Sequence, residues 1–366
     1  MKHIQKEQLF SKENALTTDL FQEDCIFFDI ETTGFSPTNS SIYLIGCLRR
    51  IDSRIIIDQF FAESKAEERV VLEQFIKLAA SYKTMISFNG LGFDLPFIKA
   101  KCQVYNIIEN LNNVSHIDIF KLVSQMKFLL KLPNYKQKTI EAFLDIERED
   151  LYSGGELINI YDEYLETKST QAEELLLLHN FEDVVGMLDL IPVLSYYQIL
   201  HGAYETNDIE TCTYTNYDGE NGLELIITLT NKYIVPKRVS YQANDFYIIM
   251  NKDITKIRIP IYEGELRFFY PNYKDYFYLP VEDMAIHKSV ASYVDKEYRE
   301  KAKASNCYTR KEGKFLPQYD VIMNPLFKKD YKDKCGYFEL TEDFKTSDVM
   351  TRKYIEHLLT LCINQK

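Results

Sequence analysis

Apolar and polar positions give the two halves of this chain different textures. In the first half, CIFFDI (25–30), SIYLIGCL (41–48) and RIIIDQFF (54–61) are short runs rich in β-branched and aromatic residues, separated by turn-forming segments. Their links are short, which predicts an antiparallel meander. Residues 67–82 place apolar side chains at helical spacing, and TMISF (84–88) reads as another buried strand. The turn Asn89-Gly90-Leu91-Gly92 then leads into a helix opening near Asp94. HIDIF (116–120) predicts a fifth strand or its end, and a long helix over about 171–199 closes the half. Three meander strands followed by strand–helix–strand make an α/β mixed sheet with flanking helices.

From about residue 205 the pattern becomes β-rich. LELIITLT (223–230), DFYIIM (245–250), IRIPIY (257–262) and LRFFYP (266–271) predict strands, with hairpin turns at Asp218-Gly219 and Glu263-Gly264. Helices are expected over 281–304 and 348–363. The 366 residues thus read as two domains, 22–200 and a smaller β-rich α+β domain over 206–366 to which the sequence attaches no role.

Composition narrows the setting. No run of about 18 apolar residues indicates a membrane span, and the first 20 residues lack an apolar stretch of signal-peptide length. Seven scattered cysteines without a CxxC pair argue against a disulfide framework or structural zinc and suit a reducing cytoplasm. The net charge is −12; residues 1–200 hold 19 Lys+Arg and 30 Asp+Glu, so −11 belongs to them and −1 to the rest. An acidic balance weighs against a nucleic-acid partner only until local patches are considered, since these set the field a strand feels.

Three segments carry candidate chemistry. In Phe28-Asp29-Ile30-Glu31-Thr32-Thr33-Gly34, the two acids are i and i+2 on a strand and project to one face, which is costly unless cations neutralise them. In Asn89-Gly90-Leu91-Gly92-Phe93-Asp94, a strand runs through a turn into a helix with an acid in its first turn; taken singly, Asp94 reads equally well as a helix cap. His179 and Asp183 are i and i+4, one turn apart on a helix, a pairing that also occurs as a structural pair. Together Asp29, Glu31, Asp94 and Asp183 supply the hard oxygen ligands and four negative charges that two Mg²⁺ or Mn²⁺ ions require. Asp118 reads as a cap for the helix after it, and Glu141 and Glu156 as surface or packing residues.

In order, these motifs resemble the DEDD exonuclease superfamily: DxE on the first strand, NGxxFD before a helix, and an aromatic residue or His ahead of a last Asp. The closest likeness is to the YprB-type ribonuclease H-like branch, extending to His116-Ile-Asp118, Lys138-Thr-Ile-Glu141, Ser153-Gly-Gly-Glu156 and His179-Asn180-x-x-Asp183 over about residues 22–200. The resemblance implies a ribonuclease H-like mixed sheet and a metal-dependent 3′→5′ exonuclease with two divalent cations. It gives His179 the task of deprotonating or orienting the attacking water. His179 stands at the Tyr-type spacing, three residues intervening before Asp183, where a His normally has four. Thr32, Thr33 and Asn89 are candidate substrate contacts, as are Arg310 and Lys311 in a basic, aromatic stretch suited to phosphates and bases. The expected partner is nucleic acid, a single strand or 3′ end, with a helicase or repair protein as a further partner. An endonuclease of the same fold and a non-catalytic binding module are the alternatives.

Overall fold

The apolar runs of the first half assemble into one six-stranded sheet. The computed structural model describes residues 1–10, 14–150, 152–215 and 218–364. Two compact units divide the chain: unit 1 is Met1–Ile199 with Tyr233–Lys237, and unit 2 is Leu200–Lys232 with Arg238–Lys366. Within unit 1, the returning segment is tied in where the Tyr233 hydroxyl donates to Asp19 at 2.7 Å and the Lys237 amide to the Tyr196 hydroxyl at 3.1 Å.

Unit 1 begins β1 (Lys2–Leu9), α1 (Ala15–Leu20), β2 (Cys25–Thr32), β3 (Ile42–Ile51), β4 (Arg54–Phe61), α2 (Glu68–Ala79), β5 (Thr84–Ser87), α3 (Asp94–Tyr105) and β6 (Ser115–Asp118). It continues through α4 (Ile119–Val123), α5 (Lys127–Leu130), α6 (Gln137–Phe143), α7 (Gly154–Thr167), α8 (Thr170–Leu190) and α9 (Leu194–Leu200). The sheet order is β1-β4-β3-β2-β5-β6. β1 through β2 are antiparallel neighbours, and β5 and β6 join parallel to β2. The expected meander is therefore β2–β3–β4. β1 extends it at the edge, unheralded in the sequence because KHIQKEQL is almost wholly polar and exposed. Buried Asp58 of β4 fastens that edge: one oxygen accepts from Gln5 and meets His3, both at 2.8 Å, and the other accepts from Arg49 at 2.8 Å.

The helices cover the sheet with apolar stripes. α2 turns Val71, Leu72, Phe75 and Ala79 into the core, and Phe28 of β2 meets Phe75 at 5.5 Å. Tyr161 of α7 stacks on Tyr43 of β3 at 4.1 Å and donates its hydroxyl to the Ala62 carbonyl at 3.0 Å. By length and composition the stretch Thr170–Leu200 is apolar enough to cross a membrane, at mean hydropathy 1.3, but 67% of that window is buried within the protein. It is the central core helix, which explains its apolarity without a lipid phase.

Unit 2 comprises β7 (Tyr204–Thr215), β8 (Asn221–Gln242), β9 (Tyr247–Phe269), β10 (Tyr276–Leu279), β11 (Met284–His287), α10 (Lys288–Ala291), β12 (Glu300–Lys301), β13 (Tyr308–Gln318), β14 (Phe327–Lys328), β15 (Gly336–Glu339), α11 (Glu342–Thr346) and α12 (Asp348–Asn364). It is sheet-rich and antiparallel, as the pattern indicates, but two local expectations fail. The strands expected at 245–250, 257–262 and 266–271 are one continuous strand, β9. Gly264, at φ +143°, does not turn the chain but sits within β9 opposite Gly313 of β13. The helix expected over 281–304 is mostly absent: β11 and β12 flank β10 in a three-stranded sheet, with α10 and a 3-10 turn at Lys296–Tyr298 between β11 and β12 in the chain. Asp283, at φ +50°, turns the chain between β10 and β11 and accepts from the Tyr278 and Tyr308 hydroxyls, both at 2.5 Å. Ala285 and Ala302 pack beneath Tyr270, Tyr273, Tyr276 and Tyr278, so tertiary burial overrides the helical spacing.

Candidate metal centre

β2 delivers two of the predicted acids. Asp29 and Glu31 alternate past Ile30 onto one face, and the β2–β3 register shifts between Glu31 and Thr32, a bulge at the end of the pair. Asp94 is the first residue of α3, and its Oδ1 accepts the Ile30 amide at 3.2 Å, which seats the helix start against β2. α8 supplies His179, Asn180 and Asp183. The Asn180 amide donates to Asp29 Oδ2 at 3.0 Å. That approach depends on Gly46, the β3 residue paired with Asp29: a Cβ there would lie 2.1 Å from Asn180 Oδ1 and 2.8 Å from Val184 Cγ2. His179 Nε2 faces Asp183 Oδ2 at 3.2 Å and Glu31 Oε1 at 3.6 Å.

The buried acids of unit 1 fall into two kinds. Asp58, Glu68 and Asp118 are structural, with both oxygens occupied. Glu68 accepts from the Ile42 amide at 2.7 Å and the Tyr105 hydroxyl at 2.7 Å. Asp118 accepts from the amides of Asn89, Leu91 and Lys121 at 3.0–3.1 Å. Among the described residues, Asp29 and Asp94 each take a single hydrogen bond from another residue, Asp29 at Oδ2 and Asp94 at Oδ1. Carboxylates that crowd together repel one another, and a cation offsets that repulsion.

The electrostatics agree. Burial, followed by the charges of Glu31, Asp94 and Asp183, pushes the Asp29 carboxyl well above the ordinary range. Burial likewise raises Glu31 to about 8, against the opposing pull of His179 and with the aid of Asp183 and Asp94. Asp94 rises to about 7, chiefly through burial, although the Ile30 amide favours its ionised form. Asp183 goes the other way: burial would raise it, but the hydrogen bond and charge of His179 and the Arg148 guanidinium hold it down. For His179, burial opposes the charge, yet Asp183 and Glu31 outweigh it and lift the imidazole to about 9. Asp29, Glu31 and Asp94 thus all feel the charge of Asp183, and Glu31, His179 and Asp183 offer ligand atoms all within 4.8 Å of one another.

Residues 26–195 match the family model RNase_H_2 of the RNase H superfamily. Unit 1 carries an RNase H-like domain. No curated protein matches the chain. Among solved structures it is similar to the family B DNA polymerase of the hyperthermophilic archaeon Pyrobaculum calidifontis, with 15% identity, a TM-score of 0.39, and coverage of 48% of this chain and 26% of the polymerase. It is also similar to E. coli exonuclease I in complex with a dT13 oligonucleotide, with 11% identity, a TM-score of 0.32, and coverage of 57% of this chain and 55% of that one. The chain thus spans about a quarter of the polymerase and about half of exonuclease I.

Within the RNase H-like domain, a polar cluster that sequence motifs do not reveal surrounds α8. Asp150 Oδ2 meets His179 Nδ1 at 2.5 Å and is itself held by Lys138 Nζ at 3.0 Å, while its Oδ1 accepts the Tyr152 amide at 3.0 Å. Arg148, 9% exposed, places Nη2 2.6 Å from Asp183 Oδ1 and Nη1 3.2 Å from both Glu141 oxygens. Glu141 is 1% exposed, so of the surface and packing roles expected for it the second is the one it has: it is the buried counter-ion of Arg148. Arg148 and Asp150 lie in an aperiodic connection, so no periodicity marks them; the only sequence signal is their place just before the Ser153–Glu156 capping box.

The remaining candidates are placed as follows. Thr32 donates its hydroxyl to the Gly34 carbonyl at 2.8 Å, and the Thr33 hydroxyl accepts the Ser41 amide at 2.9 Å, so both side chains shape the loop after β2. Asn89 adopts φ +63° in the turn before α3, a left-handed position Asn tolerates. Asp118 is the N-cap of α4, as expected. Arg310 and Lys311 lie in unit 2 on β13. Arg310 pairs with Glu265 at 3.4 Å, and Lys311 pairs with Glu339 at 2.5 Å.

Proposed function

We propose that the RNase H-like domain is a divalent-cation-dependent nuclease that hydrolyses phosphodiester bonds, working stepwise from a 3′ end with two cations. The observation that supports this reading is the approach of Glu31, His179 and Asp183 to within 4.8 Å of one another, with the charge of Asp183 felt at Asp29 and Asp94 as well. The donor set fits the group: all-oxygen carboxylate ligands suit Mg²⁺ and Mn²⁺, and four negative charges balance two dications. Cations held there supply Lewis acidity for the addition of water to phosphorus and the departure of the 3′ oxygen. The protein's own part is positional. Asn180 and the Ile30 amide fix Asp29 and Asp94, and Arg148 fixes Asp183, so the ligands are set before a cation arrives. Phe35, 88% exposed on the loop after β2 and packed edge-on to Phe93 at 6.4 Å, offers a face on which a base of a single strand can stack.

The test is degradation of an end-labelled single strand in Mn²⁺ or Mg²⁺ by the wild type and by Asp29→Asn. Release of single nucleotides from the 3′ end by the wild type, with loss in the variant, supports the reading. Equal activity in both proteins removes this pocket as the site, and cleavage of a circular strand replaces end-directed action with internal cutting.

A further inference from the structure

We infer that His179 is itself a ligand, through Nε2, to a cation shared with Glu31 and Asp183, and that this position takes a transition-metal dication such as Mn²⁺ in preference to Mg²⁺. The pocket is the one read above as a nuclease centre; the new element is the ligand set and the metal class it selects.

The orientation of the ring is determined from behind. Asp150 Oδ2 lies 2.5 Å from Nδ1. An ionised carboxylate only accepts, so Nδ1 keeps its hydrogen, and a cation that displaces the proton from Nε2 meets the ring's lone pair there. Asp150 is anchored in turn by Lys138 and the Tyr152 amide, which leaves the imidazole one direction in which to point. A carboxylate on the far nitrogen of a histidine is the arrangement that orients metal-bound imidazoles.

Ahead of the ring lie ligand oxygens. Nε2 is 3.2 Å from Asp183 Oδ2 and 3.6 Å from Glu31 Oε1. Atoms bound at about 2.1 Å to one cation stand roughly 3.0–3.4 Å apart at the corners of an octahedron or tetrahedron, so the 3.2 Å side matches such an edge and the 3.6 Å side lies just beyond it. Arg148 adds to the arrangement by occupying Asp183 Oδ1 at 2.6 Å, which leaves Oδ2, the atom facing His179, for the ion. One turn of α8 sets this pairing, since the three residues between His179 and Asp183 put both side chains on the same face. Imidazole nitrogen is a poor partner for Mg²⁺ and a good one for first-row transition dications, and Mn²⁺ accepts nitrogen and carboxylate alike.

The experiment uses the full chain with Mn²⁺ as the probe and pulsed electron paramagnetic resonance as the readout. Bound Mn²⁺ in the wild type should show electron spin-echo modulation from a coordinated ¹⁴N, and His179→Gln should abolish it. Asp150→Asn should weaken Mn²⁺ binding by roughly 10- to 100-fold, with a much smaller change for Mg²⁺ measured by competition. The wild-type spectrum alone decides, so a variant that fails to fold does not protect the inference. Mn²⁺ that binds, and is lost in Asp29→Asn, but shows no ¹⁴N coupling in the wild type overturns the ligand assignment while the carboxylate centre stands. Failure of the wild type to bind Mn²⁺ at all overturns both.

Discussion

Asp29, Glu31 and Asp94 are held above the ordinary carboxylate range by burial and, for Asp29 especially, by one another's charge, with Glu31 near 8 and Asp94 near 7. Carboxyls raised in the folded state bind more protons folded than unfolded. Their stabilising contribution is present below the unfolded value of about 4 and is lost as pH rises through the folded values. His179, raised to about 9, has the same sign over a higher window. The cation-free protein should therefore become less stable between about pH 4 and pH 9 as these groups lose protons. Mn²⁺ should raise the melting temperature more at pH 8 than at pH 5; thermal scans at both pH values, with Mn²⁺ or a chelator, read this directly. Arg148 offers a second expectation. Among the described residues it is the one cation bridging Asp183 and nearly inaccessible Glu141, so Arg148→Ala strands a buried charge and should cost about 3–5 kcal/mol in denaturant unfolding. Part of that loss should return on adding Mn²⁺, which re-neutralises Asp183 but not Glu141.

At the scale of elements, the centre depends on how closely α8 approaches β3. Gly46 permits that approach, because a methyl group would sit 2.1 Å from Asn180 Oδ1 and 2.8 Å from Val184 Cγ2. Gly46→Ala should displace α8, cost about 1–3 kcal/mol by overpacking, and break the Asn180–Asp29 hydrogen bond. Mn²⁺ titration should then show weakened binding even though every ligand residue is intact. Much of this element scale is legible in the sequence. The meander follows from alternation and short links, and the Asp29–Glu31 pair from strand geometry. β1 is not legible, because its polar sequence gains its place from the β4 ladder and from Asp58. The helix expected over 281–304 fails because aromatic packing and the turn at Asp283 decide that segment. Arg148 and Asp150 are invisible because an aperiodic connection has no register to read; only the fold shows that it passes behind α8.

For the whole molecule the question is where a polyanion meets an acidic protein. Residues 1–200 hold 19 Lys+Arg against 30 Asp+Glu, so the RNase H-like half repels a strand unless cations occupy its centre. Arg310 and Lys311 of unit 2 look in sequence like the remedy. In the fold each has an acidic partner at the surface: Arg310 bonds the Glu282 carbonyl at 2.9 Å and Glu265 at 3.4 Å, and Lys311 bonds Glu339 at 2.5 Å. Lys314, on the same strand, pairs with Glu263 at 3.2 Å. A side chain that neutralises a phosphate of a single strand adds about 0.7 to the slope of log affinity against log salt. Removing two such side chains together would flatten the slope by roughly 1.4. Because both cations have carboxylate partners, Arg310→Gln with Lys311→Gln should leave the slope unchanged when a labelled phosphorothioate single strand is titrated by fluorescence anisotropy in Mn²⁺. A slope flattened by that full amount would mean that the strand displaces Glu265 and Glu339. The same titration in a chelator should show little binding in either protein, since without cations the acidic half has nothing to offer a phosphate.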